Sequence, residues 1–174
     1  GGEPWSTAGA QIGDSIVLTK WDALEGSTLL ARDRPDALSI LGDEQTMVAH
    51  WLDHPGISVV AEGEVLRSFP IHAAHDPTEG GVAQGIHELA NCSGVAIEIE
   101  AEALPVKSAT RMLCETLCID PLGLLASGAL LFAATPNVAS GAIQALREAA
   151  IEASIIGVVH AGSGVTLRSE DGLV

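Results

Sequence analysis

The 174-residue sequence is 47% hydrophobic with a mean hydropathy of +0.33, which is enough for the core of one domain and excludes wholesale disorder. Eight basic against 23 acidic side chains give a formal net charge of −15, which disfavours binding to nucleic acid or to a membrane surface. Only 3% of the residues are aromatic and none is Tyr, so stacking on bases is also disfavoured.

The start of the chain and its cysteines bear on origin and compartment. Gly1-Gly2 without a Met resembles a remnant of cloning, so we expect residues 1–9 to be a leader and the natural protein to extend further upstream. Residues 10–174 are expected to form one domain. A disulfide framework is not expected and a reducing, cytoplasmic compartment is predicted, because there are only three cysteines: Cys92, Cys114 and Cys118.

The first part of the chain alternates between strand and helix patterns. Ser15–Thr19 is a short apolar run with β-branched residues and predicts a strand. Helical spacing of apolar residues follows over 20–32 and again over 38–52. Residues 57–61 fit either a strand or the approach to a helix, and both interpretations stay open.

The segment Asp76-Pro77-Thr78-Glu79 carries a sharp helix-start signal. Asp76 is predicted to be the N-cap, Pro77 takes the first helical position, and Glu79 completes a capping box. Apolar residues then recur at helical spacing and predict a stripe that packs on a sheet: Val82, Ile86, Leu89 and Ala90.

The second part of the chain predicts further strands and two more helices. Residues 95–100 alternate between apolar side chains and polar ones, which is typical of a half-buried strand. Helices are predicted over 108–118 and 136–150, with a strand covered on both faces over 129–134. The runs 155–160 and 165–168 are predicted to pair as a closing hairpin. The sum is an α+β domain with a mixed or mostly antiparallel sheet and helices packed on it.

Other chemical signatures are weak in this sequence. No G-x-S-x-G, P-loop or G-x-G-x-x-G motif occurs. The uncharged stretch 121–146 is broken by Gly, Ser and Pro into runs too short for a membrane-spanning helix. No metal site is predicted, because the spacing of the candidate ligand pairs is not that of zinc sites and favours core or surface roles: His50 with His54, His72 with His75, and Cys114 with Cys118.

The loop from His75 to Gly81 admits two interpretations. A helix start presents free N–H groups and a partial positive charge to a phosphate or carboxylate, and Gly80 and Gly81 allow close approach to the backbone. Alternatively, Asp76 only caps the helix and the two glycines only permit close packing. The carboxylates of Asp76 and Glu79 would repel a phosphate unless a divalent cation lies between them.

Three separate motifs carry a resemblance to a known family. HAAHDPTEGGVAQGIHELANCSGVAIEIEAEALPV resembles the C-terminal domain of the aminoimidazole-ribonucleotide (AIR) synthase-related, or PurM-like, superfamily. Within it, the nearest resemblance is to hydrogenase expression/formation proteins of the HypE type. GAQIGDSIVLTKWDALEGSTLLA resembles the first strand and helix of that domain, and LCIDPLGLLASGALLFAA resembles a later strand. The motifs follow one another in the expected order over residues 10–168.

The resemblance implies a PurM-like, partly ferredoxin-like α+β sandwich that closes the active-site cleft of a two-domain enzyme. It implies that the protein's own N-terminal domain supplies most ligands of ATP and Mg²⁺, that the full-length protein is a homodimer, and that ATP phosphorylates a substrate oxygen such as that of an amide or carboxylate. By position, the family's cleft-facing, glycine-rich loop comprises Asp76, Thr78, Glu79, Gly80 and Gly81. The other two motifs add secondary candidates: Lys20, Gly26, Ser127 and Gly128.

The sequence departs from the HypE-type pattern at two points. Ser127-Gly128 stands where that enzyme commonly has an acidic residue before a Gly. The last residues, Gly172-Leu173-Val174, do not include the Cys that carries its carbamoyl and then its cyano group. We therefore expect an ATP-dependent protein of unassigned substrate, with hydrogenase maturation as one option. The alternative is a non-catalytic module for dimerisation or partner docking. The 174-residue chain alone is expected to be inactive and without cofactor.

Overall fold

A computed structural model describes residues 4–34, 39–169 and 172–173, in which helices cover a seven-stranded sheet. The strands are β1 (Ser15–Thr19), β2 (Ala73–His75), β3 (Ala96–Glu100), β4 (Leu131–Ala134), β5 (Ala153–His160), β6 (Gly164–Ser169) and β7 (Gly172–Leu173). The helices are α1 (Leu24–Asp33), α2 (Gln45–Ala49), α3 (Val60–Leu66), α4 (Gly81–Ser93), α5 (Ser108–Leu117) and α6 (Pro136–Glu148). Shorter helical turns span Ser39–Glu44, Ala101–Ala103 and Pro121–Gly123, and an irregular turn spans Leu52–Gly56.

The strand order is β2-β4-β1-β5-β3-β6-β7. Every neighbouring pair is antiparallel except β3 and β6, which are parallel. The α+β class with a mixed, mostly antiparallel sheet is therefore confirmed. β1 is an interior strand between β4 and β5, and all five of its residues are buried because helices cover both faces of the sheet.

The predicted closing hairpin is wrong, because β3 lies between β5 and β6. Ala96 of β3 is paired with His160 on one side and with Gly164 on the other. The connection 161–163 therefore crosses two strand spacings, close to 10 Å, which four extended Cα–Cα steps can reach. The short connection in the sequence suggested that β5 and β6 pair directly. In the structure β3 lies between them, so that the backbone of β3 forms hydrogen bonds along both of its edges.

The region predicted as one helix over 38–52 is divided. Position 38 lies outside the described residues, and the rest consists of the turn Ser39–Glu44 followed by α2. Gly42 has φ 52° and ψ −124°, which no helix accommodates, so the helix cannot run through it. The ambiguous residues 57–61 lead into α3, so the helical alternative holds there.

Three apolar clusters make up the interior. The predicted stripe on α4, including Val82 and Leu89, packs on Ile16 and Ile97 from one face of the sheet. α6 and α3 cover the other face around Phe132. A third cluster joins α1, α2 and α5, and it contains two of the tryptophans: Trp21 and Trp51.

Candidate functional site

The loop between β2 and α4 forms a turn before the helix begins. The N–H group of Thr78 donates to the carbonyl of Asp76, and that of Gly81 donates to the carbonyl of Thr78. The helix starts only at Gly81, and Gly80 occupies the N-cap position without a side-chain capping bond. The predicted capping box at Asp76 is therefore wrong, because these backbone hydrogen bonds close a separate turn and delay the helix by four residues.

The side chains of this loop divide into an exposed and a buried group. Asp76, Thr78, Glu79 and Gly80 are exposed, whereas Gly81 is buried. A Cβ atom on Gly81 would lie 2.5 Å from the carbonyl oxygen of Leu122 and would also collide with that of Leu124. Gly81 has φ +65°, a conformation that other residues rarely adopt. Close packing therefore accounts for Gly81, while Gly80 lies at the surface.

Gly26 packs against the same segment from the other side. Its N–H group donates to the carbonyl of Leu125 at 2.8 Å. A Cβ atom added to Gly26 would lie 2.8 Å from the Cβ atom of Leu124. Residues 122–125 thus lie between the N-terminal ends of α1 and α4. The structure brings all three sequence motifs together at this point, through close contacts that glycine permits on both helices.

Lys20 follows β1 directly and is only 6% exposed. Its Nζ donates to the carbonyls of Ser58 at 2.9 Å and Gly128 at 2.6 Å, and it lies 2.6 Å from Oε1 of Glu62. Two hydrogen bonds and one ion pair thus hold the ammonium group. Lys20 therefore ties the end of β1 to α3 and to the turn that contains the candidate Gly128.

Gly128 itself has a packing role. It is buried with φ +98°, and a Cβ there would lie 2.8 Å from both the carbonyl oxygen of Gly56 and the Cα of Ile57. Ser127 beside it is partly exposed. Lys20 and Gly128 are thus in direct contact, as members of one site would be.

Asp76 connects the loop electrostatically to this group. Although the residue as a whole is exposed, its carboxyl group is partly shielded from water, and this burial raises its pKa. The positive charges of His75 and Lys20 lower the pKa, and the negative charges of Glu25 and Glu62 raise it. Asp76 is thus near enough to Lys20 and to Glu25, at the start of α1, for their charges to act on it, and we call these three residues the charged edge. Its acidic character matches the expectation that an anionic ligand would need an accompanying cation.

A buried carboxylate near this edge was missed at the sequence level. Asp22 is 0% exposed, its Oδ1 accepts a hydrogen bond from the N–H group of Ala23 at 2.8 Å, and its Oδ2 has no hydrogen-bond partner among the described residues. Burial raises its pKa to about 7, the charge of Asp120 raises it too, and the N–H groups of Ala23 and Val82 lower it. The available signal was a carboxylate three residues after the end of a buried strand.

His72 and His75 both have partners within the protein. Nδ1 of His72 lies 2.8 Å from Asp14, and Nε2 of His75 lies 2.9 Å from Glu88. Within the described ranges, no three side chains of the His, Cys, Asp and Glu types form a group suited to a metal ion. Over the same ranges, no helix is long and apolar enough to cross a membrane.

A family model decides the affiliation of the chain. The model for the C-terminal domain of AIR synthase related proteins matches residues 11–170. The chain belongs to this family. The resemblance carried by the three motifs is therefore confirmed. The observed α+β architecture also agrees with the fold that this resemblance implies.

Individual relatives agree with that affiliation. The domain is 30% identical to the hydrogenase expression/formation protein HupE of Azotobacter chroococcum over 92% of this chain and 46% of that protein. It is 38% identical to carbamoyl dehydratase HypE of Escherichia coli over 60% of this chain and 32% of that protein. The crystal structure of E. coli HypE superimposes with a TM-score of 0.80 at 30% identity, over 97% of this chain and 50% of that one. The domain thus spans half or less of these relatives.

Proposed function

We propose that this chain is the cleft-closing C-terminal domain of an AIR synthase-related, ATP-dependent enzyme that phosphorylates a substrate oxygen. The observation that carries the proposal is the similarity to hydrogenase expression/formation proteins over nearly the whole domain. In addition, a HypE in complex with ATP has the same fold, with a TM-score of 0.76 and 25% identity over 97% of this chain. A HypE-like role in hydrogenase maturation is the narrower form of the proposal.

The charged edge around Asp76 is where we place the contact with the reacting groups. The exposed loop leads into the N-terminus of α4, whose backbone dipole favours a negative ligand. The carboxylates of Asp76 and Glu25 favour a ligand accompanied by a divalent cation over a bare phosphate. Magnesium bound with ATP supplies that charge, and the side chains here would orient the nucleotide from one side of the cleft.

The rest of the site is assigned to the protein's own N-terminal domain, as the family resemblance implies. That domain would hold ATP and most Mg²⁺ ligands, and the full-length protein would be a cytoplasmic homodimer. Ser127, where a HypE-type enzyme commonly has an acidic residue, would face the substrate with a hydroxyl group in place of a carboxylate. The transferred phosphate would activate an amide, carboxylate or similar oxygen, and we leave the substrate itself unassigned.

ATP turnover tests the proposal. We expect the 174-residue chain alone to show no steady ATP hydrolysis, and the chain joined to an AIR synthase-related N-terminal domain encoded upstream to hydrolyse ATP. Release of inorganic phosphate measures both. Steady ATP hydrolysis by the chain alone would contradict the proposal that the N-terminal domain supplies most ligands of ATP and Mg²⁺. If the upstream region encodes no such domain, the proposal that this chain is part of an ATP-dependent enzyme is wrong.

A non-catalytic docking module remains the second candidate, and one observation favours it. Lys20, Gly81 and Gly128, all candidates for the site, have structural contacts that account for their presence. Under this alternative, Asp76→Asn in the full-length protein would leave ATP turnover unchanged. Under the enzyme proposal it would lower turnover, because the carboxylate next to the nucleotide is lost.

A further inference from the structure

A pocket of about 560 Å³ is lined in part by Lys20 and by none of the residues of the exposed loop. Its walls come from the two tryptophans of the third cluster, from α3 and from the residues that precede β5. Its principal lining residues are Lys20, Trp21, Trp51, Glu62, Lys107 and Glu152. This volume is in the range of small-molecule sites and suits a single ring system with a polar substituent.

The aromatic wall of the pocket consists of two largely buried tryptophans. Trp21 and Trp51 are 7% and 3% exposed, and their rings meet edge to face with centroids 5.4 Å apart and planes at 67°. Nζ of Lys107 lies 4.3 Å from the centroid of the Trp21 ring, so this indole face already accepts a cation. Planar and cationic groups are what such a wall favours.

The polar end of the pocket contains an unsatisfied acceptor. Glu62 is 0% exposed, and its Oε1 lies 2.6 Å from the Lys20 ammonium. Neither of its carboxylate oxygens accepts a hydrogen bond from any residue that the structure describes, so Oε2 is available to accept one. Burial of a carboxylate oxygen without a hydrogen-bond donor costs free energy. A ligand that donates an N–H group to this oxygen offsets that cost, and the hydrogen bond then favours binding.

The charges around the pocket favour a cation. Lys107 is paired with Glu152 at 2.8 Å, and Lys20 is paired with Glu62, so both lysines already have counter-charges. The whole chain carries a formal charge of −15, which attracts cations and repels anions over long range. We propose that the pocket binds a small planar nitrogen cation, an amidine or protonated amino-heterocycle, that donates to Oε2 of Glu62 and packs its ring on Trp51.

Benzamidine is the probe for this proposal, with neutral benzamide and anionic benzoate as matched comparisons. The chain has three tryptophans, and only Trp5 lies outside the pocket, so their indole N–H resonances form an internal control. We expect benzamidine to shift the Trp21 and Trp51 resonances and to leave that of Trp5 in place. Benzamidine should bind at least about tenfold more tightly than benzamide, and benzoate should not bind. No shift up to about 10 mM benzamidine, or equal binding of benzamide, overturns the proposal.

Two variants locate the contact. Glu62→Gln should weaken benzamidine at least about tenfold, whereas Glu64→Gln, on the exposed side of the same helix, should not change binding. Because Glu62→Gln removes the counter-charge of Lys20 and can unfold the chain, Ala61→Leu provides a second test. Ala61 lines the pocket without contributing to the ion pair, so leucine there should fill the space and abolish binding in a folded protein. Unchanged benzamidine affinity in Ala61→Leu contradicts the assignment.

Discussion

Asp22 is a buried carboxyl group close to the N-terminal ends of two helices. Its pKa is raised from an ordinary 3.8 to about 7, chiefly because burial disfavours the charged form. The N–H groups of Ala23, just before α1, and of Val82 in α4 counteract that effect without cancelling it. The group therefore carries its proton over a pH range in which an exposed aspartate is ionised.

Asp22→Asn tests this pKa through stability. Since the folded state binds the proton more tightly than the unfolded state, the stability due to Asp22 is complete below pH 3.8 and is lost as pH rises to about 7. The loss is on the order of 4 kcal/mol. Urea unfolding between pH 4 and 8 should show a smaller decline in the variant than in the parent protein. Exposed Asp53→Asn is the control, and parallel curves for Asp22→Asn and the parent would contradict the assignment.

Cys114 should be the least reactive of the three thiols. It is buried, and burial together with the charges of Asp22 and Asp120 raises its pKa to about 11. Cys92 and Cys118 are exposed. Iodoacetamide at pH 8, followed by peptide mass mapping, should label both exposed residues well before Cys114, because the thiolate is the reactive form. Equal labelling rates in the folded protein would contradict the burial and the raised pKa.

At the scale of elements, residues 122–125 set the approach of α1 and α4. Gly81 and Gly26 both present bare backbone to this segment, and the carbonyls of Leu122 and Leu124 occupy the space that a side chain on Gly81 would need. The glycine pair at the start of α4 thus has two different roles in packing. Gly81 is buried at the contact, and Gly80 faces the surface.

Gly81→Ala should therefore destabilise the domain by about 1–3 kcal/mol, because the Cβ collides with backbone atoms and the residue has φ +65°. Gly63→Ala is the matched control: it lies within α3, and no atom lies within 4 Å of its added Cβ. That variant should be unchanged or up to about 1 kcal/mol more stable. Thermal melting compares both. A well-folded Gly81→Ala protein of parental stability would mean that the described contact with residues 122–125 is wrong.

At the scale of the whole molecule, charge is the dominant global property. A formal charge of −15 on 174 residues places many carboxylates on one small surface, and their mutual repulsion opposes the compact state. Local ion pairs offset only part of this repulsion. One example is Arg168 on β6, which contacts both Glu98 and Glu100 on the neighbouring strand β3. Stability should consequently depend on ionic strength.

Raising NaCl from about 10 to about 150 mM at pH 7.5 should increase stability by about 1 kcal/mol, or the Tm by about 2–4 °C. The reason is that the screening length falls from about 30 to about 8 Å. Repeating the measurement near pH 4.5, the isoelectric point expected from the sequence, should remove most of the increase. A Tm that falls with salt at pH 7.5 would show that attractive pairs outweigh the repulsion.

Local patterns in the sequence predicted most elements and the architectural class. The apolar run of β1, the alternation of β3 and the stripe on α4 depend on residues within a few positions of one another. β1 is a strand as predicted, and β3 and α4 have the predicted burial. Family membership was likewise indicated by three motifs, each of which is an unbroken stretch of the sequence. Gly42 is the local exception, since a single positive φ divided a region whose apolar spacing was helical.

Tertiary structure alone decided which distant segments meet. The insertion of β3 between β5 and β6 depends on hydrogen bonds across both edges of that strand, which spacing along the chain does not encode. The same holds for Lys20 with Glu62, for Gly81 with residues 122–125, and for the two tryptophans that form one wall of the pocket. Asp76 was assigned to a cap by its sequence context, but competing backbone hydrogen bonds placed the helix start at Gly81. Periodicity determines which side of an element is buried, whereas burial of a charged group and the partners that it meets depend on packing between elements.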